Sequence, residues 1–329
     1  MIRFSLLLLL LIGSLSCKKE PAAHSRDLTL RVGAADMPVW VRGNAAGGRI
    51  VLFLHGGPGE CSYCLRPFFE GIEQNALMVY WDQRLAGSSR GNADPEAWSY
   101  AQHANDLRQL VLLLKQLYPQ QSIWLFGHSF GVELGWEFLS TGDNATLVAG
   151  FVAMNGTYAT LPWLKDVQRW VMREGSSRGD SEAVAYFRPL TLTAENAKQV
   201  VKWGEWYSRM FRVGANPQWP SDDPAFVRQM KFSSAHSSLS QLTNTAQQDR
   251  YYNELIFKFD RTAELTRLEL PIRLFWGVND GIVPLETGLS TQALLQGEVP
   301  LVRFSNSWHS AFHTENEKFT RELLKAIGL

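Results

Sequence analysis

Neither sign of charge is in excess: the 329 residues carry 32 Lys+Arg and 32 Asp+Glu. That balance leaves no basic surface for nucleic acid and no acidic polymer partner, so nucleic acid is excluded. Cysteine is scarce, with only Cys17, Cys61 and Cys64 in the chain. A zinc site built on them would need further ligands close by, and none are there, so no metal is expected and no cofactor is implied. Internal repeats and long low-complexity tracts are absent too. What is present is a globular composition, 45% apolar and 19% charged, in a chain long enough for one large catalytic domain with an insertion or two modest domains.

The apolar run at residues 6–12 is too short to cross a bilayer, yet it suits the core of a signal peptide behind the basic start Met1-Ile2-Arg3. Gly13-Ser14-Leu15-Ser16 and then Cys17 follow, with Lys18-Lys19-Glu20-Pro21 as a polar tether. This arrangement resembles a bacterial lipoprotein signal, with Ser14 standing where such signals usually carry Leu. The resemblance implies that residues 1–16 are removed, that Cys17 is acylated and that residues 17–27 form a tether. The protein would then be exported and held to a membrane through its lipid anchor, facing the periplasm or the cell surface. The alternative is an ordinary cleaved signal with Cys17 as a bystander. In an oxidising compartment Cys61 and Cys64 can close a small disulfide, and two buried free thiols are the other reading.

From residue 28 onward short apolar runs alternate with helix-period segments. Residues 28–32 and 39–41 read as entry strands. Residues 50–54, 76–81, 123–126, 147–154, 272–276 and 301–304 read as buried strands. Leu107, Leu110, Val111, Leu114 and Leu117 recur at helical spacing ahead of Pro119, and residues 315–327 close the chain as a helix. The alternation predicts an α/β fold with a mainly parallel sheet and helices on both faces. It stops between residues 157 and 266, a polar, helix-like stretch holding Trp163, Trp170, Trp203, Trp206 and Trp219. The expected layout is therefore a core in two parts, 28–156 and 267–329, with a helical cap at 157–266 between them. Some of the cap tryptophans are either core or the wall of an apolar substrate pocket.

Gly127-His128-Ser129-Phe130-Gly131 falls between a buried strand and a helix. A sharp strand-to-helix turn there lifts the central hydroxyl out of the sheet, and small neighbours avoid a clash. A serine hydroxyl needs a base, and the base needs an acid that holds its tautomer. Asp280 follows the strand 272–276 and His309 follows the strand 301–304, both just past the carboxyl ends where catalytic groups gather in open sheets. His313, one helical turn on, is the rival base.

With these residues placed, the chain resembles the α/β-hydrolase superfamily, in its proline iminopeptidase-like branch. His55-Gly56-Gly57-Pro58-Gly59 matches that branch's oxyanion-loop signature. Trp81-Asp82-Gln83-Arg84-Leu85-Ala86-Gly87-Ser88 matches a second segment, with Leu85 in place of a Gly. The resemblance covers residues 28–155 and 268 to the end. It implies Ser129 as nucleophile, His309 as base, Asp280 as acid, and the backbone N–H groups of Gly57 and Phe130 as oxyanion hole. His55 and His128 are expected to hold loops, and Asp82 and Arg84 to form a structural ion pair.

The cap departs from the branch. Trp203-Gly204-Glu205-Trp206-Tyr207 resembles a segment in which proline iminopeptidases carry an amine-recognising glutamate, but Tyr207 stands at that position. On a helix Glu205 points away from residue 207. The expected activity is serine hydrolysis of a small ester or amide, with a small molecule or short peptide as substrate. Proline iminopeptidase-type cleavage is one alternative and a non-catalytic surface binding protein is another. Epoxide or haloalkane hydrolysis on this fold uses an Asp nucleophile, which Ser129 argues against.

Overall fold

The computed structural model describes residues 24–91, 98–217 and 250–329. The signal-like residues, Cys17 and Trp219 lie outside them. The strands are β1 (His24–Val32), β2 (Ala35–Gly43), β3 (Arg49–Leu54), β4 (Leu77–Trp81), β5 (Ser122–His128), β6 (Gly150–Met154), β7 (Ile272–Gly277) and β8 (Leu301–Phe304). They form one sheet in the order β1-β2-β4-β3-β5-β6-β7-β8. β1 and β2 form an antiparallel hairpin and β2 meets β4 antiparallel, while every pairing from β4 to β8 is parallel.

The continuous apolar runs have a plain cause. In β3, Ile50, Leu52 and Leu54 join the core on one face while Val51 and Phe53 join the core on the other. β4 does the same, with Leu77, Val79 and Trp81 on one side and Met78 and Tyr80 on the opposite one. Successive side chains of a strand point to opposite faces, so a strand covered on both sides must be apolar at every position.

Among the described residues the α-helices before β7 are α1 (Glu70–Glu73), α2 (Tyr100–Leu117), α3 (Phe130–Leu139), α4 (Thr160–Arg178), α5 (Ser181–Phe187), α6 (Ala197–Val200), α7 (Trp203–Arg212) and α8 (Thr262–Leu265). In α2, Leu107, Leu110, Val111 and Leu114 are buried as their spacing predicts, and the Ser99 side chain caps the helix by accepting from Gln102 N–H. The described parts of the chain between β6 and β7 form helices and loops, without a strand of the sheet. Among the described residues no helix is long and apolar enough to cross a membrane, and no group of His, Cys, Asp and Glu is arranged to hold a metal.

Two expectations need correction. Leu147 closes a 3₁₀ turn (Asn144–Leu147), so the strand begins only at Gly150. Arg84 does not pair with Asp82. Its Nε and Nη2 donate to Asp106 of α2 at 2.7 and 2.8 Å, with both side chains buried. Asp82 instead accepts from the neighbouring loops: Oδ1 takes Ser62 N–H and hydroxyl, and Oδ2 takes Ser88 N–H. Replacing Arg84 by Ala would leave the Asp106 charge buried without its partner. Urea unfolding should then show a loss of about 3–5 kcal/mol. Removing Arg31 from its exposed pair with Asp36 should leave the urea midpoint almost unchanged by the same measurement.

Candidate active site

Four loops converge past the carboxyl ends of β3, β5, β7 and β8, where functional groups of open parallel sheets collect. The turn after β5 carries Ser129 at φ 53°, ψ −121°, a conformation that a non-glycine residue holds only when its surroundings impose it. The surroundings here are steric. A Cβ on Gly127 would lie 2.6 Å from the Gly131 carbonyl oxygen, and one on Gly131 would lie 1.9 Å from the Leu54 carbonyl oxygen. The two glycines let α3 press against β3, which pushes Ser129 up out of the sheet. Ser129 N–H is anchored on the Met154 carbonyl of β6. Phe130 opens α3, so its N–H has no partner within the helix and is free to face a ligand.

Asp280 is fully buried, and four donors surround its carboxylate. Oδ1 accepts from the N–H groups of Ile282 and Val283 at 2.8 and 3.1 Å. Oδ2 accepts from His309 Nδ1 at 2.8 Å and from Asn155 Nδ2 at 2.5 Å. The contact with Oδ2 places a proton on Nδ1 and leaves Nε2 of His309 as the basic nitrogen. Asn155 follows β6 with φ 49°, and its own Oδ1 accepts from Gly277 N–H. Sequence reasoning missed Asn155. A polar residue at the end of an apolar strand, one strand away from the acid's own, was the only signal.

His128 Nε2 donates to the His309 carbonyl at 2.8 Å, and the two rings lie 4.8 Å apart. The residue before Ser129 thus holds the backbone of His309. Burial pushes the His128 imidazole down to about 3, with the neighbouring His309 acting in the same direction, so His128 stays neutral and keeps this bond. Among the described contacts no hydrogen bond joins Ser129 Oγ to His309; such nucleophile–base bonds commonly tighten only in the substrate complex. His55 links two loops, accepting Gln83 N–H at Nε2 while its carbonyl accepts from the Gln83 amide. His313 packs edge-on against Phe68 and is not the partner of Asp280. Gly57 has φ 113°, a region that favours glycine. Just downstream, Cys61 and Cys64 are disulfide-bonded.

The helical insertion is fastened to this apparatus. Trp163 Nε1 donates to the Ile282 carbonyl, and Gly281 N–H donates to the Ala215 carbonyl, so the acid loop is gripped from above. Trp163, Trp170 and Trp206 are buried core. Trp203 is only partly buried and stacks on Tyr207. Glu205 is exposed and pairs with Arg209, while Tyr207 faces inward toward Tyr252. Glu133, one turn beyond Ser129, accepts from the hydroxyls of Tyr100 and of Tyr251 on the insertion. Burial raises its carboxyl to about 7, against the two tyrosine bonds.

The family model described as alpha/beta hydrolase fold matches residues 49–316. The chain belongs to this family. Among curated proteins it is similar to a proline iminopeptidase of Levilactobacillus brevis, 24% identical over 287 residues that cover 84% of this chain and 88% of the relative. A probable aminopeptidase of Bacillus subtilis is 30% identical over a shorter stretch, 37% of this chain and 38% of that protein. Among solved structures, a proline iminopeptidase-related protein of Thermus thermophilus superposes with a TM-score of 0.66 at 21% identity, covering 92% of this chain and 98% of that one. An esterase from Exiguobacterium antarcticum superposes with a TM-score of 0.61 at 18% identity, over 92% and 98% of the two chains. At such identities these structures share the fold alone.

The Glu133 network makes this hydrolase's stability depend on pH in a separable way. Its folded-state value lies above the ordinary carboxyl value of 4.5, so its contribution is complete below about 4.5 and is lost as pH rises through about 7. His103 and His128, both lowered by burial, act oppositely as pH falls below the ordinary histidine value of 6.5. They are common to wild type and Glu133→Gln. The difference between the two unfolding curves should therefore decline by about 3 kcal/mol between pH 4.5 and 7. A flat difference would contradict the assignment.

Proposed function

We propose that this hydrolase is a serine enzyme that cleaves a small ester or amide through an acyl-enzyme. Ser129 Oγ attacks the carbonyl carbon and His309 Nε2 takes its proton. The same nitrogen then protonates the leaving group, and a water activated by His309 releases the acid. Asp280 keeps Nδ1 protonated and stabilises the imidazolium. The N–H groups of Gly57 and Phe130 receive the charge that develops on the carbonyl oxygen, a contribution of about 10²–10³ in rate per donor. The observation that carries this reading is the 2.8 Å contact of His309 Nδ1 with a carboxylate that is itself fully bonded. It fixes the tautomer that serine activation needs.

Proline iminopeptidase-type cleavage is a second reading, favoured by the relative that spans 84% of the chain. Against it stands Tyr207, which faces Tyr252 where that branch carries a glutamate, while Glu205 points to solvent. Export and anchoring through an acylated Cys17, with residues 157–266 as a cap over the site, complete the proposal.

A fluorophosphonate probe should label the wild type and leave Ser129→Ala unlabelled, with hydrolysis falling by at least about 10⁴-fold. Equal labelling of both would exclude Ser129 as nucleophile. p-Nitrophenyl butyrate should be turned over faster than proline p-nitroanilide; the reverse order would favour the iminopeptidase reading. In cells fed labelled palmitate, the wild type should carry label and Cys17→Ala should not.

A further inference from the structure

Glu133 is buried in the first turn of α3, and the reaction as described does not use it. The hydroxyl of Tyr100, at the start of α2, donates to its Oε2 at 2.5 Å. The hydroxyl of Tyr251, on the insertion, donates to Oε1 and Oε2 at 2.8 and 2.9 Å. Three separate segments of the chain thus meet at one carboxylate. The same two tyrosines also enclose the ring of Phe130. Their ring centroids lie 6.0 Å (Tyr100) and 5.5 Å (Tyr251) from it, the second ring nearly perpendicular. Trp98 stacks on Phe130 at 5.9 Å and His103 meets it nearly perpendicular at 6.2 Å.

Phe130 matters because its backbone N–H is one of the two oxyanion donors, and its backbone starts from a strained place. Ser129, just before it, stands at φ 53°, and Val132 N–H donates to the Ser129 carbonyl at 2.9 Å, so α3 begins directly from the strained residue. On the sheet side the turn is stopped by contact, since a Cβ on Gly131 would meet the Leu54 carbonyl. Contact of that kind blocks movement inward and leaves movement outward open. The outward hold comes from the Phe130 ring and from Glu133, which share a face of the helix at i and i+3. A tyrosine ring can leave its neighbour by changing rotamer, and a hydroxyl fixed on a carboxylate removes that freedom. A buried hydroxyl deprived of its acceptor turns to find another.

We propose that Glu133 is a positioning residue: by holding Tyr100 and Tyr251 against the Phe130 ring it fixes the Phe130 N–H in the oxyanion hole and ties that donor to the insertion. Glu133 itself never touches the substrate. Tyr251 supplies one wall of the enclosure, so the donor is fully placed only while this part of the insertion is seated on the core. An apolar side chain of similar length at position 133 would fill the volume, yet both hydroxyls would lose their acceptor and the enclosure would loosen. An oxyanion donor acts on charge that develops in the transition state, so the damage falls on turnover and spares substrate binding. The inference rests on the serine-hydrolase reading and goes beyond it, since neither the triad nor the oxyanion hole calls for a carboxylate at this place.

The test uses p-nitrophenyl butyrate as substrate and propylboronic acid as a tetrahedral inhibitor, with active sites counted by complete fluorophosphonate labelling. The Ser129 oxygen adds to boron, its proton passes to His309, and one boronate oxygen takes the place of the oxyanion. Glu133→Met, which keeps the length and loses the acceptor, should lower kcat per labelled site about 10- to 100-fold with KM within about threefold. The inhibition constant of the boronic acid should rise in step with the fall in kcat/KM. Glu133→Gln, which keeps one acceptor oxygen, should stay within about threefold of wild type in kcat. Tyr251→Phe, which keeps the ring and loses only the hydroxyl, should lower kcat about three- to tenfold in the same pattern, and it decides the matter if Glu133→Met does not fold. Unchanged kcat per labelled site in either Glu133→Met or Tyr251→Phe would overturn the inference, because a purely structural role alters the number of folded sites and not the turnover of each. So would a rise in KM with kcat unchanged. Wild-type turnover that is lost in Ser129→Ala tests the serine mechanism separately; if the wild type neither cleaves the ester nor takes the probe, both readings fall.

Discussion

A negative charge at Asp280, wholly out of water, sets the terms for the rest of the site. Removing a carboxylate from solvent costs several kcal/mol unless its lone pairs are met. Here they are met by two backbone amides of its own loop, by the Asn155 amide and by the His309 ring. Each donor comes with a structural consequence. The amides of Ile282 and Val283 require the loop to curl back over the carboxylate. That curl is secured from the sheet by Trp276 Nε1 on the Val283 carbonyl and from the insertion by Trp163 Nε1 on the Ile282 carbonyl. Asn155 requires an unusual backbone at the end of β6, and His309 requires the loop after β8 to return to the sheet. The imidazole is oriented because every other group on the acid is already committed.

The strain at Ser129 belongs to the same arrangement. Its backbone stays at positive φ only because α3 is packed tightly on β3 through Gly127 and Gly131, and because Ser129 N–H is tied to β6. A bulkier residue at either glycine would push the helix off the strand and release the turn. Rigidity of the parallel core is therefore what aims the hydroxyl, and burial on both faces of β3 and β5 is what makes that core rigid.

This division explains which features are legible in the amino-acid order. β3, β4 and β5 can be read because burial on both faces demands unbroken apolar runs. Ser129 can be read because its turn demands glycines at fixed offsets. Asp280 and His309 stand out as polar residues just past strand ends. Local constraints write themselves into adjacent residues; contacts between distant segments do not. Arg84 shows the difference. Adjacency in sequence points to Asp82 as its partner, but β4 ends before Arg84 and the side chain turns to Asp106 on α2, leaving Asp82 to collect the amides of the loops around it. Asn155 and Glu133 stay hidden for the same reason, since their partners lie 125 and 118 residues away. The start of β6 is obscured because Leu147 and Val148 are apolar residues of a packed turn, and apolarity alone does not separate a turn from a strand.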